Sequence, residues 1–324
     1  MKKKLLIQIP CYNEENTLPI TISSIPKKIK GIDNYDIVVI DDGSNDKTIE
    51  IAEKNGVKYI ISNSRNKGLA KTFLNGVNFF RKTDYDYLVN LDADNQYNAN
   101  EIEKLVEPLL NDEFDCVIGQ RKISSFKIFG YFKSLLQIIG SFVLSLIVGT
   151  KIKDVTTGFR AYNKRALEKI YIYNNFSYTL ESLLYFASKK IRLLCIDIET
   201  NKEVLRESRL FNGNIEYISK QLPIIVSSFA MYFPLKFFSF ISIIFFTPGL
   251  ILIFRFLLKY FATPDQAGNI QSLILSSIFI VVSFIFLMLG VISDLISKNR
   301  KILETIENNS SENKINYKII KQWL

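Results

Sequence analysis

The chain has no histidine among its 324 residues. Every mechanism that relies on imidazole as general base, proton shuttle or metal ligand is therefore excluded. Cysteine is scarce: Cys11, Cys116 and Cys195 are the three present. Their odd number argues against a disulfide framework, and their spacing offers no metal-ligand pattern. Each falls in or beside a short apolar run, so they read as small core residues of a protein in a reducing compartment. Tryptophan occurs once, as Trp323. No nucleic-acid-binding motif is present and the basic residues are scattered, which argues against nucleic acid as a partner. No long apolar run opens the chain. Leu5–Ile9 is too short for a signal-peptide core and polar Asn13-Glu14-Glu15 follows at once, so it reads as the first strand of a cytosolic domain.

Apolar residues and positive charge are plentiful, and both are unevenly placed. Hydrophobic residues make up 48% of the chain and the mean hydropathy is +0.13; the excess lies almost entirely after residue 230. The net charge is +9, and Lys and Arg crowd the apolar segments, as on a surface resting against anionic lipid headgroups. Phe237–Phe254 and residues 270–292 carry no charge, and each is long enough to cross a hydrocarbon core of about 30 Å. Pro248-Gly249 falls inside the first and predicts a kink. The connecting loop Lys259–Asn269 has one Lys and one Asp, whereas Lys220 and Lys236 precede the pair and Lys298, Arg300 and Lys301 follow it. This asymmetry places both ends in the cytosol. Arg255, near the outer end, can snorkel to the interface.

Ser134–Thr150 is also uncharged. A single crossing there would strand the motifs that follow on the far side, so the region near 126–150 reads as an interfacial helix lying on the membrane. An ordinary buried core helix is the alternative. The tail after 303 is polar and is expected to be loosely ordered. The expected domains are thus a cytosolic unit over 1–230, a two-helix anchor over 231–296 and a polar cytosolic tail over 297–324.

Short apolar runs at 4–9, 36–40, 87–91 and 116–118 suit buried parallel strands. Helical patterns lie at 15–29, 46–55, 68–82 and 99–111. Alternation at this spacing predicts right-handed βαβ units and an α/β, doubly wound, mostly parallel sheet, with ligands at the carboxyl ends of its strands. The strand at 36–40 ends in Asp41-Asp42-Gly43-Ser44-Asn45-Asp46. These carboxylates can accept hydrogen bonds from a base or ribose; alternatively the segment is turn chemistry, with Ser44 or Asn45 capping the next helix. The strand at 87–91 runs into Asp92-Ala93-Asp94-Asn95-Gln96. Residues two apart on a strand share a face, so Asp92 and Asp94 can converge, which calls for a cation. Mg²⁺ or Mn²⁺ takes oxygen ligands and completes its shell with substrate phosphates. A solvated acidic turn is the other reading.

In order and spacing, Ile9-Pro-Cys-Tyr-Asn-Glu-Glu15, the Asp41-Asp42 turn, Asn66-Lys-Gly-Leu-Ala70 and the Asp92-Ala-Asp94 turn resemble the family 2 glycosyltransferases of GT-A fold. Val117-Ile-Gly-Gln-Arg121, Asp154-Val-Thr-Thr-Gly-Phe-Arg-Ala-Tyr162 and Leu205-Arg-Glu-Ser-Arg209 narrow the resemblance to the dolichyl-phosphate mannose and polyprenyl-phosphate glucose synthases. It covers residues 4 to 295. It implies a nucleotide-sugar site of Pro10, Tyr12, Glu14, Asp41, Asp42, Lys67 and Asp92. It implies a Mg²⁺ or Mn²⁺ site of Asp92, Asp94 and Gln96, and an acceptor-phosphate site of Arg121, Lys133, Gln137, Arg206 and Arg209. Asp94, Arg121 and Arg206 would be the catalytic set. Lys133 and Gln137 stand where such enzymes carry Arg and, four residues on, Ser; Lys binds phosphate as a point charge without the bidentate fork.

The implied reaction transfers a hexose from a UDP- or GDP-sugar to a polyprenyl phosphate, with inversion, by one in-line displacement. The acceptor is already anionic, so a strong base is dispensable and the missing histidine is no obstacle. Glu181, on a helix at 178–188, matches an acidic position of the superfamily and would orient the sugar or serve as a cap. A membrane-bound transferase acting on a saccharide or another lipid is the alternative. A processive synthase would carry Gln-x-x-Arg-Trp, which is missing here. A scaffold without catalysis is disfavoured by the intact Asp92, Asp94, Arg121 and Arg206. A homo-oligomer is left open.

Overall fold

Short β-rich runs separated by amphipathic stretches assemble into one mixed sheet. The computed structural model describes residues 2–121, 149–168, 178–201, 226–262, 270–310 and 318–322, together with residues 145, 170, 172 and 223. The chain divides into two units: Met1–Gln221 with Lys314–Leu324, and Leu222–Asn313. Among the described residues the first unit holds strands β1 (Lys4–Cys11), β2 (Asn34–Asp41), β3 (Tyr59–Ser62), β4 (Tyr87–Asn90), β5 (Cys116–Arg121), β6 (Arg160–Asn163), β7 (Leu193–Ile198) and β8 (Lys318–Gln322). Its helices are α1 (Leu18–Ser24), α2 (Thr48–Lys54), α3 (Leu69–Arg81), α4 (Ile102–Leu110, entered through a 3₁₀ turn at Ala99–Glu101), α5 (Lys164–Leu167) and α6 (Tyr178–Ser188).

The strand order is β7-β5-β6-β4-β1-β2-β3-β8. β1 pairs in parallel with β2 and β4, β2 with β3, and β5 with β7. β6 runs antiparallel between β4 and β5, and β8 antiparallel on the β3 edge. The parallel heart matches the expected doubly wound sheet; β3, β6 and β8 were not foreseen, and of β7 only the apolar run at Cys195 was. β3 is four residues, too short for a period to show. β6 contains Arg160 and Asn163, residues that do not mark a strand.

β1 is buried on both faces, as a central parallel strand must be. Leu5, Ile7, Ile9 and Cys11 join Leu18 of α1, Ile25 just after it, Ala52 of α2 and Leu105, Val106 and Leu109 of α4 in one apolar cluster. On the opposite face Gln8 meets α3. Its Nε2 donates to Phe73 O (3.3 Å) and Asn90 Oδ1 (3.0 Å), and a Cβ at Gly76 would lie 2.0 Å from Gln8 Oε1. The helices are shorter than the sequence suggested. α1 has proline in its first turn and stops at Ile25, whose extended backbone (φ −69°, ψ 126°) is what the following Pro26 requires. The cysteines are free; Cys11 and Cys116 are buried, and burial pushes the Cys195 thiol up to about 11.

The second unit is a helical hairpin of α7 (Pro234–Ala262) and α8 (Ile270–Ser310). Both are long and apolar enough to cross a membrane, with mean hydropathy of 2.4 and 2.8 in their most apolar parts, of which only 11% and 17% is buried. A core helix of a soluble protein would hide that surface; here Phe240, Ile243, Ile251, Phe254, Ile285 and Ile296 stand exposed. The inner seam is small and polar. Ser242 Oγ and Ser283 Oγ are 2.9 Å apart and buried. A Cβ at Gly290 would come within 3.0 Å of Phe238, and one at Gly249 within 3.1 Å of Ile280, the close approach typical of helices packed in lipid. α7 continues through Pro248. α8 runs to Ser310 and β8 follows, so the region expected to be a loose tail after 303 contains helix and strand. The proposed interfacial helix near 126–150 lies almost wholly outside the described residues.

Candidate active site

Loops at the carboxyl ends of β1, β2 and β4 carry the residues singled out from the sequence, and each is fixed by its neighbours. Asn13 adopts a left-handed conformation (φ 55°). Its N–H donates to Ser44 Oγ (2.8 Å) and its Oδ1 accepts from Asn45 N (2.8 Å). Glu14 N donates to Thr48 Oγ1, and Glu14 Oε2 accepts from Thr17 Oγ1 at 2.6 Å. Ser44 and Asn45 thus tie the β2 loop to the β1 loop and do not cap α2; Asp46 Oδ1 takes the Thr48 N–H instead (3.0 Å). Pro10 lies within β1, opposite Ile40.

Asp41 and Asp42 are both buried and both engaged. Asp41 accepts from the Gly43 and Ser44 N–H groups and from Ser62 Oγ (2.8 Å). Asp42 accepts from Asn63 Nδ2 (2.8 Å), Lys67 N (2.8 Å) and Gly68 N (2.9 Å). Asp42 therefore neutralises the positive start of α3 and locks the loop that presents Lys67. Gly43 (φ 74°) is confined by the same loop, since a Cβ there would lie 2.7 Å from the Arg65 carbonyl carbon.

The acidic turn follows β4, which ends at Asn90. Strand alternation therefore does not set the directions of Asp92 and Asp94; a turn does, with Asn95 at φ 54°. Asp94 Oδ1 accepts from Gln96 N (3.1 Å). Asp92 abuts Gly158, where a Cβ would lie 2.8 and 2.9 Å from its two oxygens and 3.0 Å from Tyr178 Oη. Beneath it, Asn90 Nδ2 donates to Gly158 O (3.0 Å) and Tyr178 Oη (2.9 Å). Tyr178 stacks flat on Phe73 at 3.9 Å.

Arg121, at the end of β5, reaches this turn. Nε donates to Asp154 Oδ2 (2.7 Å), Nη2 to Thr156 Oγ1 (3.1 Å) and Nη1 to Gln96 Oε1 (3.2 Å). Asp154 also accepts from Thr156 N and Oγ1. Burial pushes the Asp154 carboxyl up, but the Arg121 charge and these hydrogen bonds outweigh it and hold the group below the usual carboxylate range. Burial would lower the Arg121 guanidinium; Tyr97, Asp154 and Asp92 together raise it instead.

Two residues that the sequence did not single out organise the segment between. Arg160 is fully buried and donates to Thr157 O (2.9 Å), Val155 O (3.3 Å) and Ser182 Oγ (2.8 Å), pinning residues 155–158. Asn201, in the segment after β7, binds the far side of the acidic turn: its N–H donates to Gln96 O (3.0 Å) and its Nδ2 to Asn95 O (2.7 Å). A buried arginine and a loop asparagine leave no periodic signal in sequence. Glu181 is buried on α6, a helix that coincides with the expected 178–188. Lys133, Gln137, Arg206 and Arg209 lie outside the described residues. No group of three or more Cys, Asp or Glu side chains among the described residues is arranged to hold a metal; Asp92 and Asp94 offer two carboxylates, which suits a cation that draws its other ligands from phosphate and water.

Residues 6–171 match the family described as Glycosyl transferase family 2, more than half of the chain. The chain belongs to glycosyl transferase family 2. Over 175 residues this family 2 chain is 33% identical to the dolichol-phosphate mannosyltransferase of Pyrococcus furiosus, a match covering 52% of the chain and 48% of that protein. The chain thus spans about half the length of that relative. Over 185 residues it is 29% identical to the UDP-N-acetylglucosamine–dolichyl-phosphate N-acetylglucosaminyltransferase of Methanococcus voltae, covering 51% and 72%. The fold is that of GT-A glycosyltransferases: the glucosyl-3-phosphoglycerate synthase of Mycobacterium tuberculosis, crystallised with Mn²⁺, UDP and its product, superimposes with a TM-score of 0.53 at 17% identity, over 71% of this chain and 80% of that one.

Proposed function

We propose that this family 2 chain transfers a hexose from a UDP- or GDP-sugar to a polyprenyl phosphate at the cytosolic face of a membrane, inverting the anomeric centre. The observation that carries the reading is the guanidinium of Arg121, bonded to Asp154 and, through Gln96, to the acidic turn. A fixed cation beside two carboxylates is an arrangement in which two anionic substrates can be held next to each other. Membership of the family, polyprenyl-phosphate transferases among the relatives, and two helices able to span a bilayer all support it.

In this reading Pro10, Tyr12, Glu14, Asp41 and Asp42 shape the nucleotide site, the two aspartates through the loops they lock. Lys67, presented at the start of α3, faces the diphosphate. Asp92 and Asp94 with Gln96 would hold Mg²⁺ or Mn²⁺, which supplies positive charge to the departing diphosphate. Arg121, Arg206 and Arg209, with Lys133 and Gln137, hold the acceptor phosphate, whose oxygen attacks without losing a proton. Holding both reactants in line replaces base catalysis as the main contribution. Glu181 orients the sugar. Residues 1–230 form the catalytic domain, 231–296 anchor it, and both termini face the cytosol.

The test is the full chain in detergent with radiolabelled UDP- and GDP-sugars, with and without polyprenyl phosphate. Label should enter the lipid fraction only when that lipid is added, and the product's anomeric configuration should be opposite to the donor's. Transfer to a saccharide in the absence of polyprenyl phosphate would overturn the acceptor assignment.

A further inference from the structure

The acidic turn has four consecutive or near-consecutive backbone carbonyls that could serve as oxygen ligands, and each is already bonded. Ala93 O accepts from Thr21 Oγ1 of α1 at 2.9 Å. The remaining three are taken by one residue: Asn201 N donates to Gln96 O at 3.0 Å, and Asn201 Nδ2 donates to Asn95 O at 2.7 Å and Tyr97 O at 3.2 Å. The same nitrogen also lies 3.1 Å from Asn95 Oδ1. A group facing three oxygens must be the amide nitrogen, so the orientation of the Asn201 side chain is determined by its partners. An isolated bridge between Tyr97 and Thr200 extends the contact.

Asn95 sits at φ 54°, a conformation that costs a non-glycine residue energy unless neighbours hold it. Its carbonyl and its side chain are both bonded to Asn201. We infer that Asn201 is a positioning residue for the divalent-cation site: it holds the turn in the form that presents the Asp92 and Asp94 carboxylates and keeps the turn's carbonyls from competing as ligands. This rests on the reading of that turn as the cation and diphosphate site.

The substitution Asn201→Asp separates positioning from bulk. It keeps the shape but sets a carboxylate oxygen against the Asn95 and Tyr97 carbonyls and adds negative charge beside Asp94. Asn201→Ala removes the donor without adding charge. Binding of Mn²⁺ to the full chain at saturating UDP, and in parallel at saturating GDP, is followed by the free-ion electron paramagnetic resonance signal. Nucleotide binding in EDTA and the melting temperature in EDTA are measured beside it. Loss of one or two net hydrogen bonds predicts that Asn201→Ala weakens Mn²⁺ by about tenfold; in Asn201→Asp the added negative charge attracts the cation and makes the loss smaller. Metal-free nucleotide affinity should stay at the wild-type value. A merely structural role would lower melting and weaken nucleotide binding with and without metal alike, and that result overturns the inference. So does wild-type Mn²⁺ affinity in Asn201→Ala when that variant folds. If the wild-type chain binds neither UDP nor GDP with Mn²⁺, the functional reading itself falls, and the inference with it.

Discussion

Asp154 Oδ2 accepts from Arg121 Nε at 2.7 Å, with the carboxylate wholly buried and the guanidinium side chain 19% exposed. The two residues stand 33 positions apart, on the segment before β6 and at the end of β5. Their union fixes a cation at the edge of the acidic turn.

Asp154→Asn keeps the shape and strands the charge of Arg121. It should destabilise the fold by about 3 kcal/mol, the low end for removing one partner of a buried pair, and raise the apparent KM for polyprenyl phosphate. The pH dependence follows from the sign of the shift. The Asp154 carboxyl is held below its unfolded value, so its contribution is complete above about pH 4, the unfolded value. It is lost as pH falls through the folded value. The stability gap between wild type and Asp154→Asn, read from denaturant melts, should be constant from neutral pH to about pH 5 and close only in stronger acid. A gap that closes near neutrality would contradict the assignment.

Asp94→Asn removes charge from the cation site at nearly constant shape. Turnover should fall on the order of 100-fold or more. EDTA should silence the wild type and added Mg²⁺ or Mn²⁺ should restore it. Full turnover in a thoroughly chelated sample would dismiss the metal.

Gly158→Ala places a methyl group 2.8 Å from Asp92 Oδ1 and 3.0 Å from Tyr178 Oη. Overpacking of this kind costs about 1–3 kcal/mol. The displaced atom belongs to the candidate cation site, so UDP or GDP binding in Mn²⁺ should weaken further than the melting temperature suggests. Calorimetric titration beside thermal melting measures both; unchanged nucleotide affinity would mean that Asp92 can retreat without consequence.

Cysteine reporters address the anchor. Positions 2 and 315 should label from the cytosolic side and position 266 from the other side, if α7 and α8 both cross. Gln120 and Arg160 are buried, so reporters on either side of the interfacial segment belong at the exposed positions 113 and 164; labelling from one common side is expected, and labelling from opposite sides would make that segment a crossing.

Arg206→Ala should raise the apparent KM for polyprenyl phosphate or lower turnover while donor affinity stays near normal, because a charge-assisted arginine contact is about twice as strong as a neutral one. Arg206→Lys should recover only part, having lost the fork. Collapse of donor affinity in calorimetry, with unchanged acceptor kinetics, would reverse the two halves of the site.

The parallel strands and the two apolar helices could be read from the sequence because burial repeats along them: Leu5 to Cys11 is apolar or tightly packed at nearly every step, and residues 270–292 contain no charge. The acidic turn and Arg121 were found as motifs, but not their mutual geometry. Asp154 was a letter in a motif until the fold brought it to Arg121. Asp42 reads identically whether it faces a ribose or caps α3, and only the Asn63, Lys67 and Gly68 donors show where its lone pairs go. Arg160 resembles any surface arginine in one dimension; its partners are two carbonyls and a serine 22 residues away. Long-range polar contacts of this kind have no period and no composition.

β8 is the last strand of the sheet in the chain and the first unit closes only when it arrives, after the whole of α7 and α8 has been made. Until then Tyr59, Ile60 and Ile61 present an unpaired edge, the kind of surface on which strands of other molecules add. Synthesis order thus ties the solubility of the nascent first unit to the arrival of residues 318–322. A chain stalled before residue 318 would leave the β3 edge open to edge-to-edge association with its neighbours.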